Sequence, residues 1–242
     1  MNKARDIIAK NIATMLHDGD VVNLGVGIPT RVSNFIPVGM QIFLHSENGA
    51  IGVAGNVPGN NVFSDADTFL KWEKNHKSEK SDYHTGHKDL VDAGSYPVTL
   101  IPGACTFDTA LSFAMSRGGH LDLAVLGAME VDQEGNLANW MVPGKRVTGM
   151  GGAMDIASGT AKVIVATTLT TRSGQAKLKR QCELPLTVPR KISKVVTEQC
   201  IVEIRDHSFY VTHIYPGIQP EMIRKQIEGN VVFVEHIQPM LA

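Results

Sequence analysis

Cysteine is scarce in this chain: Cys105, Cys182 and Cys200 are the 3 in 242 residues, far apart and with no Cys-x-x-Cys pair. That excludes a disulfide framework, and the thiols read as reduced core residues of a cytoplasmic-type protein. An excess of one charge is also lacking. Lys and Arg number 23 against 24 Asp and Glu, a net charge of −1 with the signs interspersed. This removes the electrostatic case for a nucleic-acid or anionic-membrane partner, since both require a basic excess. No stretch approaches the roughly 20 uninterrupted apolar residues of a membrane span. There is no Gly-x-Ser-x-Gly elbow, no Gly-Lys-Ser/Thr phosphate loop, no internal repeat and no low-complexity tract.

What is present is ordinary globular material, 43% apolar and 19% charged, in a chain long enough to bury a full core. Residues Met1 to Leu16 place Ile7, Ile8, Ile12, Met15 and Leu16 on one helical face, an amphipathic first helix rather than a secretory leader. Beyond it, short apolar runs alternate with helical patterns and glycine punctuation, the pattern of an α/β sheet. Strands are predicted at Val21–Leu24, Gln41–Leu44, Val98–Ile101, Leu121–Leu126, Lys162–Thr168, parts of Ser193–Ile204, and Val231–Val234. Helices are predicted after Thr30, Asp108, Ala153 and Gln219, the last with Pro220 and Glu221 in its first turn. No composition shift marks a linker, so residues 1–242 read as one domain.

The apolar run Ile42-Phe43-Leu44 gives way abruptly to His45-Ser46-Glu47-Asn48-Gly49. A carboxylate directly after a buried strand is costly unless solvated, paired or functional, and Asn-Gly supplies the sharp turn that holds it at the strand's carboxyl end. Glu47 is therefore the candidate nucleophile, against the plainer reading of a salt-bridged or rim residue. His45, Ser46 and Glu47 do not form a hydrolytic triad, because successive side chains on an extended segment point to opposite faces.

Glycine is the other resource. Asn23-Leu24-Gly25-Val26-Gly27-Ile28-Pro29-Thr30 sits at a strand-to-helix transition where backbone amides can approach an anion, although a tight turn with close packing explains it equally. Gly149-Met150-Gly151-Gly152 precedes a helical pattern and frees the backbone to point amides at a developing oxyanion. From Asn56 to Lys88 the chain turns polar, an exposed excursion whose Phe63, Phe69, Trp72 and Tyr83 argue for docking. His84-x-x-His87 lies within it, but zinc sites need three or four ligands, and no metal site is assigned.

These segments, together with Pro102-Gly103-Ala104, Arg117-Gly118-Gly119-His120, Leu126-Gly127-Ala128-Met129, Asn136-Leu137-Ala138-Asn139-Trp140 and Pro143-Gly144-Lys145, occur in one order along nearly the whole chain. Cys182-Glu183-Leu184-Pro185-Leu186-Thr187 and Tyr215-Pro216-Gly217 extend the series. Each string is weak alone; the ordered set resembles the B (beta) subunit of family I, 3-oxoacid-type CoA-transferases. The resemblance implies a three-layer α/β/α open sheet and Glu47 as nucleophile. Its carboxylate attacks an acyl-CoA, giving an acyl-glutamyl anhydride and then a glutamyl-CoA thioester, which passes CoA to an acceptor acid by ping-pong kinetics. It further implies that Gly152 contributes an oxyanion-hole amide and that Asn23, with Gly25 and Gly27, belongs to the CoA-binding turn. CoA is then a substrate, and no separate cofactor is implied.

The same resemblance implies an A (alpha) subunit as obligate partner, in an αβ heterodimer or larger oligomer, and a short-chain acid of the acetoacetate, butyrate or acetate class. Two features depart from it. The excursion at about 56–88 reads as an insertion, and Ser95 stands where many relatives carry a lysine thought to contact CoA, leaving Lys88 or Lys145 as replacements. Arg117 and Arg146 are candidates for a second carboxylate of a dicarboxylic acid. The rival classes are an acyl-CoA hydrolase on the same scaffold, a non-catalytic CoA-ester-binding module, and a sugar-phosphate isomerase or deaminase of related fold, against which the Ser-Glu-Asn-Gly motif argues.

Overall fold

The computed structural model describes residues 2–56, 62–63, 65, 67–68, 71, 86–144, 146–147 and 149–242. An α-helix, Asn2–Ala13, leads into β1 (Val21–Leu24) and a 3-10 helix, Pro29–Phe35. Then come β2 (Phe43–Ser46), β3 (Ala50–Asn56), β4 (Val62–Phe63), β5 (Gly86–His87) and β6 (Val98–Thr106). The helix Thr109–Arg117 precedes β7 (Leu123–Leu126), β8 (Glu130–Asp132), β9 (Leu137–Ala138), β10 (Met141–Val142) and β11 (Arg146–Val147). After the helix Ala153–Gly159 follow β12 (Lys162–Ala166), β13 (Leu178–Lys179), β14 (Lys194–Val196), β15 (Cys200–Arg205) and β16 (Ser208–Ile214). A short helix, Pro220–Arg224, leads to β17 (Val231–Pro239). The chain divides into two compact units, Met1–Ile42 with Phe113–Ala242, and Phe43–Ser112.

In the first unit the strands run in the order β17-β16-β15-β14-β12-β7-β1. Strands β1, β7, β12 and β14 are mutually parallel, β15 is antiparallel to both of its neighbours, and β17 is parallel to β16. Parallel strands covered on both faces read as unbroken apolar runs, and every residue of Leu123–Leu126 and of Val163–Ala166 is buried. Ile156 and Ala157 of the helix Ala153–Gly159 join Ala124, Leu126, Val163 and Val165 in one core. Leu123, Val125 and Ile164 alternate to the opposite face. The helix Asn2–Ala13 packs on β12 and β14 and buries Ile8 and Ile12 completely.

Two buried carboxylates organise the loops of this unit. Asp132 is fully buried and accepts hydrogen bonds from the backbone of Glu134, Asn136 and Cys182 and from Asn136 Nδ2. Glu130 Oε2 accepts the N–H groups of Glu183 and Leu184, at 2.8 and 2.9 Å. Carboxylates so saturated with donors are tolerated in an interior that would otherwise expel them.

The second unit is built on β2-β3-β6, both pairings antiparallel. Strand β4 pairs in parallel with β5.

The structure differs from the sequence expectations in several places. The helix expected after Thr30 is a 3-10 helix, ended where Ile36, ahead of Pro37, turns extended (ψ 126°). The strand expected at Gln41–Leu44 lies at Phe43–Ser46, and β3 and β16 are strands beyond those expected. Cys105, expected in the core, is exposed, because it sits late in β6, an outer strand of the second unit's sheet. Cys182 is half-buried and Cys200 buried, as core thiols; burial pushes Cys200 up to about 12. Most of the polar excursion, including His84, lies outside the described residues, as does Lys145. No helix among the described residues is long and apolar enough to cross a membrane.

Replacing Asp132 by Ala strands several backbone donors in the interior. The expected loss is about 3 kcal/mol of unfolding stability, read as a lower urea midpoint.

Candidate active site

Glu47 is the first residue of the three-residue turn joining β2 to β3, whose register pairs Ser46 with Ala50. It is half-buried and stands at the carboxyl end of β2. Gly49 closes the turn at φ 123°, a conformation L side chains rarely adopt, and its N–H donates to Ser46 O at 3.0 Å. A Cβ at Gly49 would lie 2.0 Å from the Phe107 carbonyl oxygen, while the Phe107 N–H donates to Gly49 O at 3.0 Å.

Side chains pin the turn from outside. Ser46 Oγ donates to Asn48 Oδ1 at 2.7 Å and accepts the Ala93 N–H at 3.0 Å. Asn48 Nδ2 donates to Val91 O at 2.8 Å. The docked segment carries Ser95 at φ 63°, exposed, in a loop that Asp92 Oδ1 holds through the N–H groups of Gly94 and Tyr96. Lys88, one candidate replacement for the usual lysine, is exposed and pairs with Asp89 at 2.8 Å.

On the other side of β2 lies a feature that sequence reasoning missed. His45, 4% exposed, places Nε2 2.9 Å from Oγ of the fully buried Ser112. Its ring stacks on Phe107, centroids 6.5 Å apart and planes at 18°. Burial pulls the imidazole pKa from 6.5 down to about 4, so it is neutral near pH 7. This serine–histidine pair is no nucleophile and base: the serine is shut away from solvent and the imidazole is a poor proton acceptor. His45 and Ser46 point to different partners, as an extended strand requires. Nothing in the sequence marks Ser112, a small residue among others on its helix.

The other predicted residues belong to the first unit. Asn23 is buried on β1 in register with Ala124 of β7. Gly25 donates its N–H to Val125 O at 2.9 Å, and a Cβ there would stand 3.2 Å from that same oxygen. Gly27, at φ 101°, turns the chain towards the 3-10 helix, and Thr30 Oγ1 donates to its carbonyl at 2.9 Å. Gly149 and Gly151 have φ of 81° and 53°; Gly152 is the N-cap of the helix Ala153–Gly159 and accepts the Ile156 N–H. Both glycine segments are compact backbone turns at the edges of regular elements. Arg117 Nε donates to Asp155 Oδ1 at 2.9 Å and the guanidinium lies over the Phe113 ring. The Arg146 side chain lies outside the described residues. Among the described residues, no three His, Cys, Asp or Glu gather as a metal site.

Comparison with known proteins places this geometry. Residues 5–65 and 84–226 match the family described as coenzyme A transferase. The beta subunit of acetate CoA-transferase from Escherichia coli K12 is 42% identical over 227 residues, which are 94% of this chain and 93% of that one. One of the two subunits of succinyl-CoA:3-ketoacid coenzyme A transferase from Helicobacter pylori 26695 is 38% identical over 226 residues, covering 93% and 97%. Among solved structures, the apoenzyme of an acyl-CoA transferase from Escherichia coli O157:H7 superposes with a TM-score of 0.72 at 20% identity. That match covers 98% of this chain and only 43% of the longer one, and it speaks for the fold.

Gly49→Ala is expected to cost about 2 kcal/mol or more in chemical denaturation, since both φ and the Phe107 backbone oppose a side chain. His45 gives a pH signature. The unfolded chain takes up its proton near pH 6.5 and the folded one only near 4. Stability therefore falls as pH drops through that window and is unaffected above it. In His45→Gln, the decline of melting temperature between those pH values is shallower.

Proposed function

The chain belongs to the coenzyme A transferase family, and from that premise we propose that it moves CoA from a short-chain acyl-CoA to a carboxylic acid with Glu47 as nucleophile. The observation that carries this reading is a half-buried carboxylate at the tip of a turn clamped on several sides by hydrogen bonds. Such a turn fixes the carboxylate's backbone to within the tolerance nucleophilic attack demands.

In the proposed sequence, a Glu47 oxygen attacks the thioester carbonyl and CoA leaves as thiolate, giving a mixed anhydride. The thiolate attacks the glutamyl carbonyl and the donor acid leaves as its carboxylate, giving glutamyl-CoA. An acceptor carboxylate attacks that thioester, expelling thiolate and forming a second anhydride. Thiolate attack on its acyl carbonyl then releases the new acyl-CoA and restores Glu47. A carboxylate suits this exchange because its acyl derivative stays as activated as a thioester, whereas a serine ester would not. Each tetrahedral oxyanion needs a fixed donor, and one amide is worth about 3 kcal/mol. Gly152 is assigned that role, and Asn23, Gly25 and Gly27 the CoA-binding turn; the ordered motif set supports both assignments.

CoA enters as a substrate, with no separate cofactor. Residues 1–242 form one B-type subunit, with the stretch around 56–88 an insertion; the family match breaks off between residues 65 and 84, which supports this. The partner is an A-type subunit, in an αβ pair or larger assembly, as the subunit designations of the relatives suggest. The acid is of the acetoacetate, butyrate or acetate class.

The chain reconstituted with an A-type subunit and given acetoacetyl-CoA without acceptor is expected to carry CoA on the peptide containing Glu47, detected by mass spectrometry. Adding a carboxylic acid should discharge the adduct as the acid's CoA ester forms. Glu47→Ala should show no adduct and lose on the order of a thousandfold or more in turnover. Thioester loss with no acceptor requirement would instead indicate a hydrolase, and an unchanged thioester a binding module.

A further inference from the structure

The peptide group between Ser46 and Glu47 sets where the Glu47 side chain begins, and its carbonyl oxygen is held by two donors. One is the Gly49 N–H at 3.0 Å, within the turn itself; the other is Ser112 Oγ at 3.4 Å, from the helix Thr109–Arg117. A serine hydroxyl has a single proton, so if Ser112 gives it to Ser46 O, the 2.9 Å contact with His45 must run the other way, from Nε2–H to Ser112 Oγ. The result is a directed chain, His45 to Ser112 to the Ser46 carbonyl. Phe107 anchors its far end, stacking on the His45 ring and donating its own N–H to Gly49 O.

We propose that His45 and Ser112 are positioning residues for the nucleophile, locking the plane of the Ser46–Glu47 peptide so that the Glu47 carboxylate meets the thioester carbonyl in one orientation. The proposal rests on the reading of Glu47 as nucleophile. A plain core contact would hold the hairpin to the helix without bearing on the peptide in front of Glu47. Here the chain of donors ends on that peptide's oxygen. Its burial keeps water from competing for the same acceptor, so the hydrogen bonds are not exchanged during turnover. A shift of about 1 Å in a reacting group costs on the order of a hundredfold in rate, so a partial loosening should be visible in the chemical step.

The test uses the complex with the A-type subunit and three variants: Ser112→Ala, which breaks the chain; His45→Phe, which keeps the stacked ring and removes the donor; and His45→Gln, whose side-chain amide reaches the place of Nε2. Single-turnover formation of the CoA adduct on the Glu47 peptide is timed alongside kcat, KM and melting temperature. Ser112→Ala and His45→Phe are expected to slow adduct formation and kcat by roughly tenfold or more with KM for both substrates within about twofold, and His45→Gln to recover most of the rate. Should His45→Phe fail to fold, Ser112→Ala, the smaller change, decides. The proposal is overturned if folded Ser112→Ala loads CoA as fast as the wild type, or if kcat falls only in proportion to the folded fraction. Absence of an adduct on the wild-type complex would instead sink the premise about Glu47, a result distinct from equal loading by wild type and variant.

Discussion

The close passage of Gly49 beside Phe107 is the constraint on which the second unit's hairpin depends. Phe107 gives its N–H to the Gly49 carbonyl, and its own carbonyl occupies the space a Cβ would need. Only glycine satisfies both the left-handed φ and that proximity. With the turn closed in this way, the conformation of Glu47 is decided by backbone geometry. The carboxylate itself remains half-exposed and available for chemistry.

Both units hold their loops by the same device, a buried side-chain oxygen that accepts backbone N–H groups from a segment distant in sequence. In the second unit Ser46 Oγ receives Ala93. In the first, Glu130 receives Glu183 and Leu184, and Asp132 receives Cys182. Loops fixed through such donors keep their shape without large apolar anchors, which suits segments that must remain near solvent. Lys179 extends the pattern, buried on its strand with its ammonium reaching Glu183 and Glu228 at 3.3 and 3.0 Å.

For the proposed chemistry, a neutral His45 matters as much as a hydrogen-bonded one. A positive imidazolium two residues from the nucleophile would stabilise the carboxylate and blunt its attack. Burial removes that charge over the physiological range while leaving the ring able to donate. An anhydride intermediate also calls for a site poor in water, and a hairpin braced by stacked rings and internal hydrogen bonds has little slack through which water enters.

Periodicity and punctuation are enough for much of the architecture. The parallel strands Leu123–Leu126 and Lys162–Ala166 stand out because strands buried on both faces are unbroken aliphatic runs, and Glu47 because a carboxylate after such a run is conspicuous. Strand β16 is hard to see in the sequence because its hairpin turns on Asp206-His207, both at positive φ without a glycine to announce it. The 3-10 form of Pro29–Phe35 likewise depends on packing around Val32 and the extended residue before Pro37. The sequence by itself determined the candidate nucleophile, its turn and the family, since these reside in local residue order and in the succession of motifs. Only the tertiary structure decided that Ser112 meets His45 and the Ser46 carbonyl, because that contact joins residues 67 and 66 positions apart and depends on how a helix packs against a strand. Local pattern holds no record of such a distance.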